Sequence, residues 1–369
     1  MIKGKDPIEI ADGVYWLGSF LDKRLEINSY LRIFKNGDKT INMIIDPGPP
    51  TIFENLRDNL LSLDINLSKI HFVFLNHQDP DVSANTMYIR KANPRVKVIC
   101  SEDTWRLVNF LGLEPSNFQN IDKFKSHKAK LSTGHRIRFI PTPFCHFRGA
   151  NMIYDETSRI LFTGDLFGGI TYSNGLFATS VNWHGMRAFH QLYMPSPEAL
   201  KFALNSIRSL RPRPVMLAPQ HGAIIKGELI DEFIDKLYEL PVGWNLLETI
   251  NKNKDFYLEA VNDILDFIKA RSGEEIIEAA FREIQSDDSI PDIFERNEKG
   301  KIIDIRLDPS KSMHMLINAL RKDQPQETIE IIRNAILKAA VDWNLPLFES
   351  LLEDKSITSE LLVPDQSST

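Results

Sequence analysis

The 369-residue chain is 43% apolar and 25% charged, typical of a soluble globular protein with two domains. A net charge of -6 gives no reason to expect nucleic-acid binding, and the absence of any run of about 18 apolar residues excludes a membrane-spanning helix. Two cysteines, Cys100 and Cys145, make no disulfide framework and suit a reducing cytoplasm, and the opening MIKGKDPIEIADGVYW lacks the apolar core of a secretory signal.

In chain order, GVYWLGSF, NSYLRIFKNG and INMIIDPGPP are aromatic and β-branched runs closed by turn residues, as a meandering sheet requires. TIFENLRDNLLSL has helical apolar spacing, and KIHFVFLN is a near-continuous apolar strand of the kind buried on both faces. RVKVICSE and HRIRFIPTPF are further strands, and MIYDETSRILFTGD predicts a hairpin. The amphipathic helix SPEALKFALNSIRSL then leads into PVMLAPQHG. Strand-then-helix order repeated twice over about 240 residues predicts two sheets sandwiched between helices.

After YELPVGWN the texture changes. From Pro241 onward there are 25 acidic and 15 basic residues, against 25 and 29 before it, so two units of different character are expected: residues 1–240 and 241–369. NLLETINK, YLEAVNDILDFIKA, GEEIIEAAFREIQ, SMHMLINALRK and ETIEIIRNAILKAAVDW carry apolar residues at three- and four-residue spacing. GKIIDIRLDPS is the one strand expected there, and the tail VPDQSST is expected to fray.

Candidate ligands sit where apolar strands meet turns. FVFLNHQDPDVSAN supplies His77, Asp79 and Asp81, PTPFCHFRGAN supplies His146, ILFTGDLFGG supplies Asp165 and MLAPQHGAII supplies His221. Asp-Pro-Asp alone is ordinary turn chemistry, and a lone histidine is most often a satisfied structural residue. Four such strand-end fragments together offer three histidines and three aspartates, enough for a two-metal site in which one carboxylate bridges.

This order and spacing resembles the metallo-β-lactamase superfamily, whose hydrolases carry H-x-H-x-D-H. Here the third position is Asp79 and the sixth is Val82. A carboxylate at the third position resembles the flavodiiron proteins. The fuller resemblance is to the oxygen-binding diiron proteins of that superfamily: their HQDPDV, HFPGA, SDLFG, YMPS and APQHG appear here as HQDPDV, HFRGA, GDLFG, YMPS and APQHG. It covers roughly residues 8–240 and leaves the rest of the chain outside.

The resemblance implies an αββα sandwich. It assigns one iron to His77, Asp79 and His146 and a second to Asp81 and His221, with Asp165 bridging. Carboxylates suit iron or manganese better than the histidine-rich or thiolate sets of hydrolytic zinc. Val82 leaves the second metal one ligand short, a gap open to dioxygen, water or an anion, or filled by His190. The aromatic residues Phe147, Phe167, Tyr172, Trp183 and Tyr193 fit either a wall around the site or ordinary core. Asp46 either hydrogen-bonds a ligand histidine or caps a turn, and Cys145 fits a packing role.

A flavodoxin domain would need a phosphate-cradling loop rich in small residues. From Pro241 on there are three glycines, none in such a loop, so no flavin is expected. The expectation is therefore a cytoplasmic non-haem diiron protein that binds dioxygen as a sensor. It would be a homo-oligomer, with an electron donor or signalling protein as partner and the helical unit serving oligomerisation or output. An oxygen or nitric oxide reductase fed by a separate donor is the second reading, and a metal-dependent hydrolase the third.

Overall fold

Period-two alternation sorts the apolar side chains of the strands into separate layers. A computed structural model describes residues 6–21, 25–170, 175–243, 254–285, 293–343 and 345. The first sheet holds β1 (Ile8–Ala11), β2 (Val14–Trp16), β5 (Tyr30–Asn36), β6 (Lys39–Ile45), β7 (Phe72–Phe74), β8 (Lys97–Cys100) and β9 (Phe118–Asn120) in that order. A separate ribbon pairs β3 (Ser19–Leu21) with β4 (Leu25–Ile27). The second sheet runs β10 (Lys128–Lys130), β11 (Arg136–Pro141), β12 (Asn151–Asp155), β13 (Ile160–Gly164), β14 (Met216–Pro219) and β15 (Ile225–Lys226).

Tyr30, Phe34, Met43 and Ile45 of the first sheet share one buried cluster with Ile137, Phe139, Ile153 and Phe162 of the second. Leu31 and Ile44, one residue out of phase, join instead the cluster containing Leu56 and Leu60 of α1 (Phe53–Ser62) and Trp105 and Val108. On the far face, Met152 and Tyr154 meet Leu200, Leu204, Phe233 and Leu237. Helix, sheet, sheet and helix thus form the four layers of an αββα sandwich. Across its middle Arg32 and Asp155, both buried, form an ion pair at 2.7 Å.

The expected hairpin is β12 paired antiparallel with β13. The strand expected at KIHFVFLN is three residues long and lies parallel between β6 and β8, so Val73 and Phe74 are buried. The remaining short helices on the first sheet are α2 (Pro80–Ser83), α3 (Thr86–Ala92) and α4 (Glu102–Val108). Against the second lie α5 (Trp183–Tyr193), α6 (Pro197–Ser209) and α7 (Leu229–Tyr238). Ser196 caps α6, its hydroxyl accepting from Glu198 N and Ala199 N, with Pro197 at the first helical position.

The chain divides into two units, Met1–Leu247 and Glu248–Thr369. The second holds α8 (Lys254–Ser272), α9 (Glu275–Gln285), α10 (Pro309–Arg321) and α11 (Gln326–Asp342). It also has the hairpin β16 (Phe294–Arg296) and β17 (Ile302–Ile305). Four of the helices expected from spacing are present and the expected strand is β17. NLLETINK and VPDQSST fall outside the described residues. No helix among the described residues is long and apolar enough to cross a membrane.

Candidate metal centre

β7 ends at Phe74, the chain bends at Asn76 and His77, and Asp79 is extended (φ -59°, ψ 146°) because Pro80 disfavours a helical conformation in the residue before it. This segment brings the His77 ring and the Asp79 carboxylate together. Pro80 then opens a single helical turn whose first residues include Asp81. The Ser83 hydroxyl donates to the carbonyls of Gln78 and Asp79 and closes the turn.

Three other rim segments supply the rest. His146 lies in the connection from β11 to β12, Asp165 directly follows β13, and His221 lies two residues past β14. The structure brings all six candidate donors together. His146 Nε2 lies 3.1 Å from Asp79 Oδ2 and 3.2 Å from Asp165 Oδ2. His77 Nε2 lies 3.5 Å from Asp79 Oδ2 and 3.7 Å from Asp165 Oδ2. On the opposite side of the Asp165 carboxylate, His221 Nε2 lies 3.6 Å from Oδ1 and 3.3 Å from Asp81 Oδ2. Among the described residues, His77, Asp79 and His146 form a set of three whose donor atoms all lie within 4.8 Å of one another.

Electrostatics follow from gathering three imidazoles, those of His77 and His221 buried and that of His146 partly so, against three carboxylates. Burial alone would lower the pKa of each histidine, but the carboxylates outweigh it. His77 is raised, His146 is pushed up to about 10 by Asp165 and Asp79, and His221 to about 9 by Asp81 and Asp165. Asp79 and Asp165 are held below the ordinary carboxylate range, the imidazoles outweighing burial. Two buried atoms facing into the cluster, His77 Nε2 and Asp165 Oδ1, have no hydrogen-bond partner. Such atoms are costly to leave unpaired, and both are metal-ligating types. The donor set therefore fits a pair of hard or borderline metal ions.

The surroundings hold these donors in place. His221 Nδ1 lies 2.8 Å from the carbonyl of Glu26. The loop carrying it is clamped by Asn28, just before β5, whose amide donates to the carbonyls of Pro219 and Gly222, and by the Tyr30 hydroxyl of β5, which donates to Pro219. Gly222 (φ +79°) packs so closely on Gly169 that a Cβ would sit 3.0 Å from its backbone. Asp46 caps a backbone group beside a candidate ligand: its carboxylate accepts the N–H of Asn76 at 2.8 Å. Burial raises its pKa to about 7.

Both nitrogens of the His190 ring are engaged with backbone. Nδ1 lies 2.8 Å from the carbonyl of Met186, and Nε2 accepts from Phe167 N at 3.1 Å. The ring as placed leaves no nitrogen for a metal, and burial lowers its pKa to about 4. Val82 is fully buried in the apolar cluster beneath α1.

Of the aromatic candidates, Tyr193 lies against His146 with ring centroids 6.1 Å apart, and Phe167 is buried with φ +66°. Trp183 packs on Phe233 in the helix layer, Phe147 is half-buried, and Tyr172 lies outside the described residues. Sequence reasoning missed Phe189, whose ring lies tilted against His221 with centroids 5.2 Å apart and against Tyr193 at 4.6 Å. The four-residue spacing of Phe189 and Tyr193 on α5 was the available signal. Burial pushes the Cys145 thiol up to about 12, in keeping with a packing role.

Two facing sheets between helix layers, with histidines and aspartates at one rim, define a metallo-β-lactamase-like domain. The model of the family described as ODP family beta lactamase matches residues 25–222, and the chain belongs to that family. A structure titled peroxy diiron species of chemotaxis sensor ODP is 28% identical, covering 66% of this chain and 99% of that one with a TM-score of 0.56. The apo state of chemotaxis sensor ODP from T. denticola is 27% identical, covering 64% and 99%, with a TM-score of 0.52. A diflavin flavoprotein of Nostoc sp. is 26% identical over 215 residues, 57% of this chain and 36% of that protein. The chain thus spans about a third of the length of that curated relative.

Proposed function

We propose that this chain is a non-haem diiron protein that binds dioxygen as an oxygen sensor. The observation that carries the reading is the placement of Asp165, whose two carboxylate oxygens face different donor sets. In this reading His77, Asp79 and His146 hold one iron, Asp81 and His221 hold the other, and Asp165 bridges them. Iron bound there would supply the electrons and the exchangeable coordination that dioxygen binding requires. The carbonyl of Glu26 orients His221, and Phe189 and Tyr193 shield the imidazoles from water. Val82 offers no donor beside Asp81.

The family match and the diiron chemotaxis sensor among the similar structures support sensing over turnover. The second unit, Glu248–Thr369, is then an oligomerisation or output module, and the reading includes no flavin.

Anaerobic purification from iron-replete cells tests it. About two iron atoms per chain are expected, with a visible-absorption change on exposure to air. No sustained oxygen uptake is expected with reduced pyridine nucleotide alone. Stoichiometric zinc without iron would overturn the reading in favour of a hydrolase, and catalytic oxygen uptake would move it to a reductase.

A further inference from the structure

We propose that Asn76 is a positioning residue for His77, fixing which ring nitrogen carries the hydrogen and turning the other, bare, into the site. Asn76 is 1% exposed and every polar group it has is engaged. Its N–H donates to Asp46 Oδ1 at 2.8 Å and its carbonyl accepts from Asn151 N at 3.0 Å. Its side-chain Nδ2 donates to the carbonyl of Asn151 at 2.6 Å. A carbonyl only accepts, so the amide nitrogen must be on that side. A flipped amide would set two oxygens against each other.

The orientation leaves Asn76 Oδ1 3.0 Å from His77 Nδ1. An amide oxygen cannot donate, so Nδ1 carries the hydrogen. In the neutral ring Nε2 is then a bare lone pair, and Nε2 is the buried atom without a hydrogen-bond partner that faces Asp79 and Asp165. The fold makes room for this amide. Gly164 has φ +60°, and a Cβ there would fall 2.1 to 2.3 Å from the Asn76 amide atoms. Asn76 also joins the sheets, since it follows β7 of the first and bonds to Asn151 at the start of β12 in the second. His221 is oriented by a main-chain carbonyl instead, so the dependence on a side chain is one-sided.

The inference rests on the metal-binding reading above but not on the identity of the metal. The test is therefore cobalt(II) titration of the full chain, followed by visible absorption, in wild type, Asn76→Ala and Asn85→Ala. Asn85 is a control: it is fully buried and its amide donates to the carbonyl of Pro47. Outer partners of ligand histidines typically carry about 10- to 100-fold in metal affinity. Asn76→Ala is expected to weaken one of two cobalt ions by that factor and alter its absorption, with the other within about threefold. Asn85→Ala should lower stability alone.

If Asn76→Ala does not fold, Asn76→Leu, similar in shape and without the acceptor, must show the same one-sided loss. Wild-type affinities in the variant or equal weakening of both ions would each overturn the proposal. A wild-type chain that takes one ion, weakened by Asn76→Ala, would support it while sinking the two-metal reading. A wild-type chain that takes none would overturn both.

Discussion

The two sides of Asp165 are built differently. On one side His77, Asp79 and His146 surround one carboxylate oxygen, and their donor atoms lie within 4.8 Å of one another. On the other, only His221 and Asp81 face the second oxygen, and the neighbouring Val82 turns into the core. The crowded side has the donors for a closed coordination sphere, whereas the sparse side leaves positions for a ligand from solution. A catalytic or sensing metal needs such an open position and a structural one does not. The asymmetry within one pair of sites is thus what the proposed gas binding requires.

Removing the shared residue should have the largest effect. Asp165→Ala takes a donor from both sides, and metal content should fall from about two ions per chain to nearly none. Full retention, measured by elemental analysis of anaerobic protein, would end the bridging assignment. His146→Ala should be half as severe, leaving about one ion per chain, because the sparse side keeps Asp81, His221 and Asp165. Loss of both ions would mean that the two sides do not bind separately.

Val82→His probes the sparse side more gently. An imidazole buried without a partner costs roughly 1–3 kcal/mol, so the metal-free variant should melt below the wild-type protein. If the ring reaches the second ion, metal should restore the melting temperature and slow the absorption change in air. An unchanged rate with an altered iron spectrum would place the open position elsewhere.

The smallest effect is a pH slope in metal-free protein. The folded values for His146 and His221, about 10 and about 9, lie above the ordinary imidazole value near 6.5. Their ion pairs with the aspartates therefore contribute stability that is fully present below about pH 6.5 and lost as pH rises through 9 to 10. Metal must displace the same protons, so its affinity should rise over that range. Melting curves and metal titrations between pH 6 and 10 should thus slope in opposite directions.

The layers of the sandwich were legible because alternation and turn residues mark β5, β6, β11, β12 and β13 directly. The candidate site was legible because each donor lies in the rim segment that follows such a strand. Less legible were α5 and α7, whose segments carry the helical spacing but no conspicuous motif, and β16, a three-residue strand defined by its pairing with β17. Phe189 was hidden because its contact with His221 joins segments far apart in the chain. The engagement of His190 with Met186 and Phe167 was equally invisible, since a histidine between two backbone groups has the same sequence signature as one free to ligate.

The clamp on His221 has a consequence for how the protein is made. Its loop is held by Asn28 and Tyr30, nearly two hundred residues earlier. Contacts of such long sequence separation form late, after the closure entropy of the intervening chain has been met. A ribosome that has released the first sheet has delivered His77, Asp79 and Asp81 but not the strands that seat Asp165 and His221. The complete donor set exists only once β14 is inserted, so an ion held by both sides of Asp165 marks a chain whose sandwich has closed.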